Sequence, residues 1–136
     1  MSPRVLAIDH VVLRVSDMAR AIRFYGKVLG CPVERRADDL GLVQLRAGSA
    51  LIDLVDVALG LGKVGGGAPG AEGRNVDHFA LWLPGFDEPS LRAHLEARGV
   101  AVGEVAQRYG ARGMGPSLYI EDPDGNVVEL KGPGGD

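Results

Sequence analysis

At 136 residues, 46% of them hydrophobic and 24% charged, the chain has the size and composition of one globular domain with a sizeable core, which excludes extended disorder. A formal charge of −3 offers no broad basic surface for phosphates, so nucleic acid is excluded as a partner. No basic leader precedes a long apolar stretch and no run approaches the roughly 18 apolar residues of a spanning helix, so no membrane association and a soluble, cytoplasmic protein are expected.

Residues 8–15 are mostly apolar or β-branched, with His10 and Arg14 on one alternate set, and read as a strand. The period then changes. Ser16 is the expected N-cap and Asp17 suits the first turn, while Met18, Ala21, Ile22, Tyr25, Val28 and Leu29 recur at helical spacing until Gly30 stops the pattern. Cys31, the single cysteine, sits between Gly30 and Pro32; it reads as a small packed residue and fits a reducing compartment. Three short strands follow at 33–36, 41–47 and 50–57, separated by Asp38-Asp39 and Gly48-Ser49, so the first half reads βαβββ. Residues 58–75 are dense in Gly and read as a flexible linker. Within it, Gly60-Leu61-Gly62-Lys63-Val64-Gly65 matches a dinucleotide fingerprint, but Gly66, Gly67 and Pro69 follow where a helix is needed, so no aligned amides would meet a pyrophosphate.

The second half repeats the order: a strand at 76–83, a helix from about Asp87 to Arg98 with Pro89 in its first turn and Gly99 closing it, then strands near 100–105, 117–121 and 126–131. Asp122-Pro123-Asp124-Gly125-Asn126 is a strong turn sequence before the last of these. The expected organisation is a single α+β domain of two βαβββ modules, 5–57 and 76–131, in a curled mixed sheet around a cleft.

Both modules open on Asp-His, at Asp9-His10 and Asp77-His78, and each ends in a strand with one carboxylate among apolar neighbours, Asp53 in the first and Glu129 in the second. Two neutral imidazoles and a carboxylate form a facial set for a divalent first-row metal, if the halves bring them together. A repeat could equally preserve a structural histidine twice, and the pattern alone does not choose. Asp53, shorter than Glu, could add a fourth oxygen directly or act through water. His94 lies on the second helix without a carboxylate counterpart and reads as a surface residue.

The paired His-opening modules, the segment Phe24-Tyr25-Gly26-Lys27-Val28-Leu29-Gly30 and the ending Asp122-Pro123-Asp124-Gly125-Asn126-Val127-Val128-Glu129-Leu130 resemble the vicinal oxygen chelate superfamily. That group includes glyoxalase I, fosfomycin-resistance transferases, extradiol dioxygenases, methylmalonyl-CoA epimerase and bleomycin-binding proteins. The resemblance spans about residues 5–131 and is nearest to uncharacterised glyoxalase-domain proteins. It implies one divalent metal (Zn, Ni, Fe, Mn or Co) on His10, His78 and Glu129, with Asp53 where the glyoxalase I pattern has Glu. It also implies lyase or isomerase chemistry on a small oxygen-rich metabolite in a homodimer, the metal polarising vicinal oxygens while Glu129 moves the proton.

Two His and one carboxylate are also the ligand set of an iron extradiol dioxygenase, and His94 is poorly placed to serve as the additional acid or base such an enzyme wants. A metal-free binder of drugs is the third alternative, against which the retention of both His and Glu129 argues. Arg108, Tyr109 and Arg112 read as a Gly-rich loop, where Arg108 and Arg112 could bind a carboxylate or phosphate of the substrate or be solvated charges. Tyr119 is a further substrate-contact candidate that could face the pocket or the core. Trp82, on the His78 face, fits a pocket wall or core.

Overall fold

The computed structural model describes residues 2–135 and divides at Pro69/Gly70 into two compact units. The first unit runs β1 (His10–Val15), α1 (Met18–Ile22), β2 (Val33–Ala37), β3 (Leu42–Ala47) and β4 (Ala50–Asp56). The second runs β5 (His78–Trp82), α2 (Glu88–Ala97), β6 (Ala106–Gly110), β7 (Gly113–Glu121) and β8 (Val127–Lys131). Each is βαβββ and each forms a four-stranded mixed sheet, ordered β1-β4-β3-β2 and β5-β8-β7-β6, with the outer first strand parallel to the last and the other pairs antiparallel. The α+β class of two repeated modules is as the periodicity expects.

Alternation sorts each sheet into two faces. In the first unit Leu13, Val15, Val43, Leu45, Ile52 and Leu54 are buried on one face and pack with Ala21, Phe24 and Tyr25 of the helical segment. In the second, Leu118, Ile120, Val128 and Leu130 are buried together with Leu95 of α2. The opposite faces carry His10, Val12 and Arg14, or His78, Ala80 and Trp82, each set beside the carboxylate of the adjacent strand.

Local chemistry sets the boundaries. The N-cap of α1 is Asp17, whose side chain accepts from the Arg20 amide at 3.1 Å, and not Ser16 as expected. The expected single helix widens into a π-helix over Arg23–Val28, where the Leu29 amide reaches back to the Phe24 carbonyl at 3.0 Å. That wider turn buries two consecutive aromatics, Phe24 and Tyr25, in an edge-on pair with centroids 5.0 Å apart. Gly30 and Gly99 close the two helical segments at φ of 74° and 77°, a region hostile to other residues.

The glycine-rich stretch corrects the expectation of an unpacked linker. Gly60–Gly65 forms a 3-10 helix, and Arg14 donates to the carbonyls of Gly62, Gly66 and Gly67, so one guanidinium satisfies three backbone acceptors of the stretch. The strand expected at 100–105 is absent. Arg92 takes the Val102 and Gly103 carbonyls at 3.4 and 3.0 Å, and pairing with β7 begins only at Ala106. Arg108 and Tyr109 are therefore strand residues of β6, while Arg112 stands in the two-residue turn to β7. Asp122 seats the start of β8: its Oδ1 accepts from the Asp124 and Asn126 amides at 2.9 and 2.8 Å, and its Oδ2 from the buried Asn126 side chain at 2.8 Å.

Candidate metal centre

The duplication extends to the register of the sheets. In the first unit Asp53 lies opposite Val12, two residues beyond His10, and opposite Gln44 on its other side. In the second, Glu129 lies opposite Ala80, two residues beyond His78, and opposite Tyr119. Each imidazole is thus diagonal to a carboxylate on the same face, within reach across neighbouring strands.

The resulting pairs are His10 Nε2 to Asp53 Oδ2 at 3.9 Å and His78 Nε2 to Glu129 Oε1 at 3.5 Å. Both carboxylate residues are only 5% exposed. The other nitrogen of each ring is also engaged: His10 Nδ1 lies 2.7 Å from Asp9 Oδ2 and His78 Nδ1 lies 2.6 Å from Asp77 Oδ2. An ionised carboxylate only accepts, so each Nδ1 carries the proton, and in the neutral ring Nε2 presents its lone pair toward the buried acid. The bond to Asp9, reinforced by the charge of Asp53, raises the His10 pKa above the ordinary histidine value. The bond to His78 and its charge lower that of Asp77.

One of the two pairs has the spacing of two ligands of a divalent cation. Two ligand bonds of about 2.1 Å at a tetrahedral angle place their donors about 3.4 Å apart, which the His78–Glu129 spacing of 3.5 Å matches and the 3.9 Å of His10–Asp53 exceeds. A carboxylate behind the far ring nitrogen is the usual support of a metal-binding imidazole. Asp9 and Asp77, given no role by sequence reasoning, supply it in both modules; the signal was the Asp-His dipeptide itself, seen twice. Gln44, also missed, donates its amide to both oxygens of Asp53 at 3.1 Å, which occupies the carboxylate and suits it less to direct ligation than Glu129. The donors come in pairs, and among the described residues no group of three or more His, Cys, Asp or Glu side chains gathers around one point.

The substrate-contact candidates separate. Tyr119 packs edge-on against His78 with centroids 5.4 Å apart, so it faces the site and not the core. Arg108 lies 4.5 Å over the Tyr119 ring and donates to the Ser117 carbonyl and hydroxyl at 2.7 and 2.9 Å, which ties it to the sheet. Arg112 instead covers the Trp82 ring at 4.5 Å and borders a cavity of ≈ 260 Å³ together with His78, Ala80, Trp82, Glu129 and Lys131.

The chain belongs to the glyoxalase/bleomycin resistance protein/dioxygenase superfamily, whose model matches residues 7–130. It is 30% identical over 129 residues to virulence protein STM3117 of Salmonella typhimurium, covering 90% of this chain and 81% of that protein. The crystal structure of that relative superposes with a TM-score of 0.74 at 27% identity, covering 96% of this chain and 98% of the other. Catechol-2,3-dioxygenase of Bacillus subtilis is 28% identical over 128 residues, which are 90% of this chain but only 40% of that protein. Members of the superfamily typically use a divalent metal and bind small molecules. Among the described residues no helix is long and apolar enough to cross a membrane.

Proposed function

We propose that this protein is a metal-dependent lyase or isomerase of the glyoxalase type, acting as a cytoplasmic homodimer on a small oxygen-rich metabolite. One observation carries the reading: an Asp–imidazole–carboxylate array, with Nε2 turned toward a buried acid, built twice at equivalent register positions. His10, His78 and Glu129 would hold the ion, with Asp53 as a further oxygen directly or through water. Zn, Ni, Fe, Mn and Co all accept such a set. The metal, when bound, supplies Lewis-acid polarisation of the substrate's oxygens.

The remaining work falls to the chain. Glu129 is buried and borders the cavity, so a bound molecule displaces water from around a carboxylate able to take a proton from an adjacent carbon. Asp77 holds the His78 ring in one tautomer, and Tyr119 packs against the edge of that ring and limits its rotation. The alternative of iron-dependent ring cleavage is favoured by one observation, the similarity to a catechol-2,3-dioxygenase.

Elemental analysis of protein purified without chelator or metal-affinity resin tests the reading. One ion per chain is expected, lost on His10→Ala, His78→Ala or Glu129→Ala with the fold retained. Wild-type metal content in those variants contradicts the ligand assignment, and failure to bind any added Zn, Ni, Mn or Fe supports a metal-free binder. Oxygen uptake with catechols after anaerobic iron loading would establish the dioxygenase reading, since a lyase consumes none.

A further inference from the structure

We infer that the cavity of the second unit is an anion subsite, in which Lys131 and Arg112 take the negatively charged head of a small molecule whose other end lies beside Glu129. Lys131 is 5% exposed, yet its ammonium donates only to backbone, at 3.1 Å to the Gly113 carbonyl and 3.5 Å to that of Gly132. Among the described residues no carboxylate pairs with it. An ammonium has three protons, and a buried cation without an anion is costly, so a ligand that brings the charge completes the site. Arg112 adds the second cation. Its guanidinium carbon lies over the Trp82 ring, 4.5 Å from the ring centre, and the same indole is 6.0 Å from Lys131 Nζ. That position leaves its N–H edges to a ligand.

The chain makes room for this arrangement. A Cβ on Gly110 would stand 3.0 Å from Lys131 Cε, so this glycine leaves room for the lysine; one on Gly115 would meet the Gly132 carbonyl first and Lys131 Nζ at 3.1 Å. Among the described residues Glu129 is the one acid lining the cavity. Trp82 pairs with Lys131 and Ala80 with Glu129, which makes the acid and Lys131 one same-face step apart along β8, about 7 Å. A cavity of ≈ 260 Å³ has room for the charged head and a few carbons of a small molecule. Arg108 is not part of it, being committed to Ser117 and Tyr119. The inference rests on the proposed function only in calling this molecule the substrate.

The single tryptophan of the chain is Trp82, so its fluorescence reports the cavity directly. The probes are propionate, methylphosphonate, inorganic phosphate and neutral propionamide, titrated into chelator-treated and metal-loaded protein. The anions should saturate the signal in both forms and propionamide should not; the tighter of carboxylate and phosphonate or phosphate identifies the head group. Lys131→Met and Arg112→Gln should each weaken anion binding by about tenfold or more, while Arg108→Gln leaves it unchanged. Should Lys131→Met fail to fold, Arg112→Gln, in an exposed turn, decides. Propionamide binding as tightly as propionate, or anion binding insensitive to the folded variants, overturns the inference. Anion binding that persists in a chain unable to hold metal supports it and refutes only the proposed metal chemistry.

Discussion

Replacing Asp77 by Asn keeps the size of the side chain but removes the charge that holds the His78 ring, and Asp9→Asn does the same for His10. Loss of a partner behind a metal-binding imidazole lowers metal affinity by about 10- to 100-fold. Both aspartates sit at the solvent edge, with side chains 93% and 85% exposed, so screening puts each single effect near the bottom of that range, about tenfold. The two sites share no side chain, so if one ion takes both imidazoles the losses add in free energy and the double variant should fall by about 100-fold at unchanged stoichiometry. Competition against a fluorescent chelator measures this, run at about pH 8 so that protons do not compete for the rings. The raised His10 pKa makes that precaution necessary. Wild-type affinity in the double variant, with circular dichroism unchanged, would refute the role given to the Asp-His dipeptides.

Other consequences can be checked separately. Gly110→Ala should crowd the Lys131 stem and weaken anion binding seen by Trp82 fluorescence, with little change in the urea midpoint. Leu95→Ala should cost about 3 kcal/mol in urea unfolding, because Leu95 is fully buried where α2 meets the second sheet. Asp87, the N-cap of α2, has its pKa lowered by the Ser90 hydroxyl and then the Ser90 amide. Its contribution is therefore present above the unfolded carboxylate value and lost as pH falls through the lower folded one. Thermal melts of Asp87→Ala should lie below wild type at neutral pH and converge with it in acid. Burial raises the Cys31 thiol, so it should react with a disulfide reagent at neutral pH more slowly than free cysteine.

The sequence by itself determined the duplication, the βαβββ order and the pairing of one histidine with one carboxylate in each half, because alternation and helical periodicity are local and the Asp-His openings recur at matching places. Asp87, Pro89 and Gly99 bounded the second helix for the same reason: caps act within one turn. Tertiary structure decided what depends on partners distant along the chain. Arg92 and Arg14 claim backbone carbonyls that a strand or a loop would otherwise present to a ladder or to water, which moved β6 toward the C-terminus and gave the glycine stretch its turn. That shift of register separates Arg112, at the cavity, from Arg108, bound to the sheet. Lys131 ends a strand, and nothing local to it marks it as buried; its 5% exposure comes from the approach of β6 and β7, where Gly110 and Gly115 lie against its side chain.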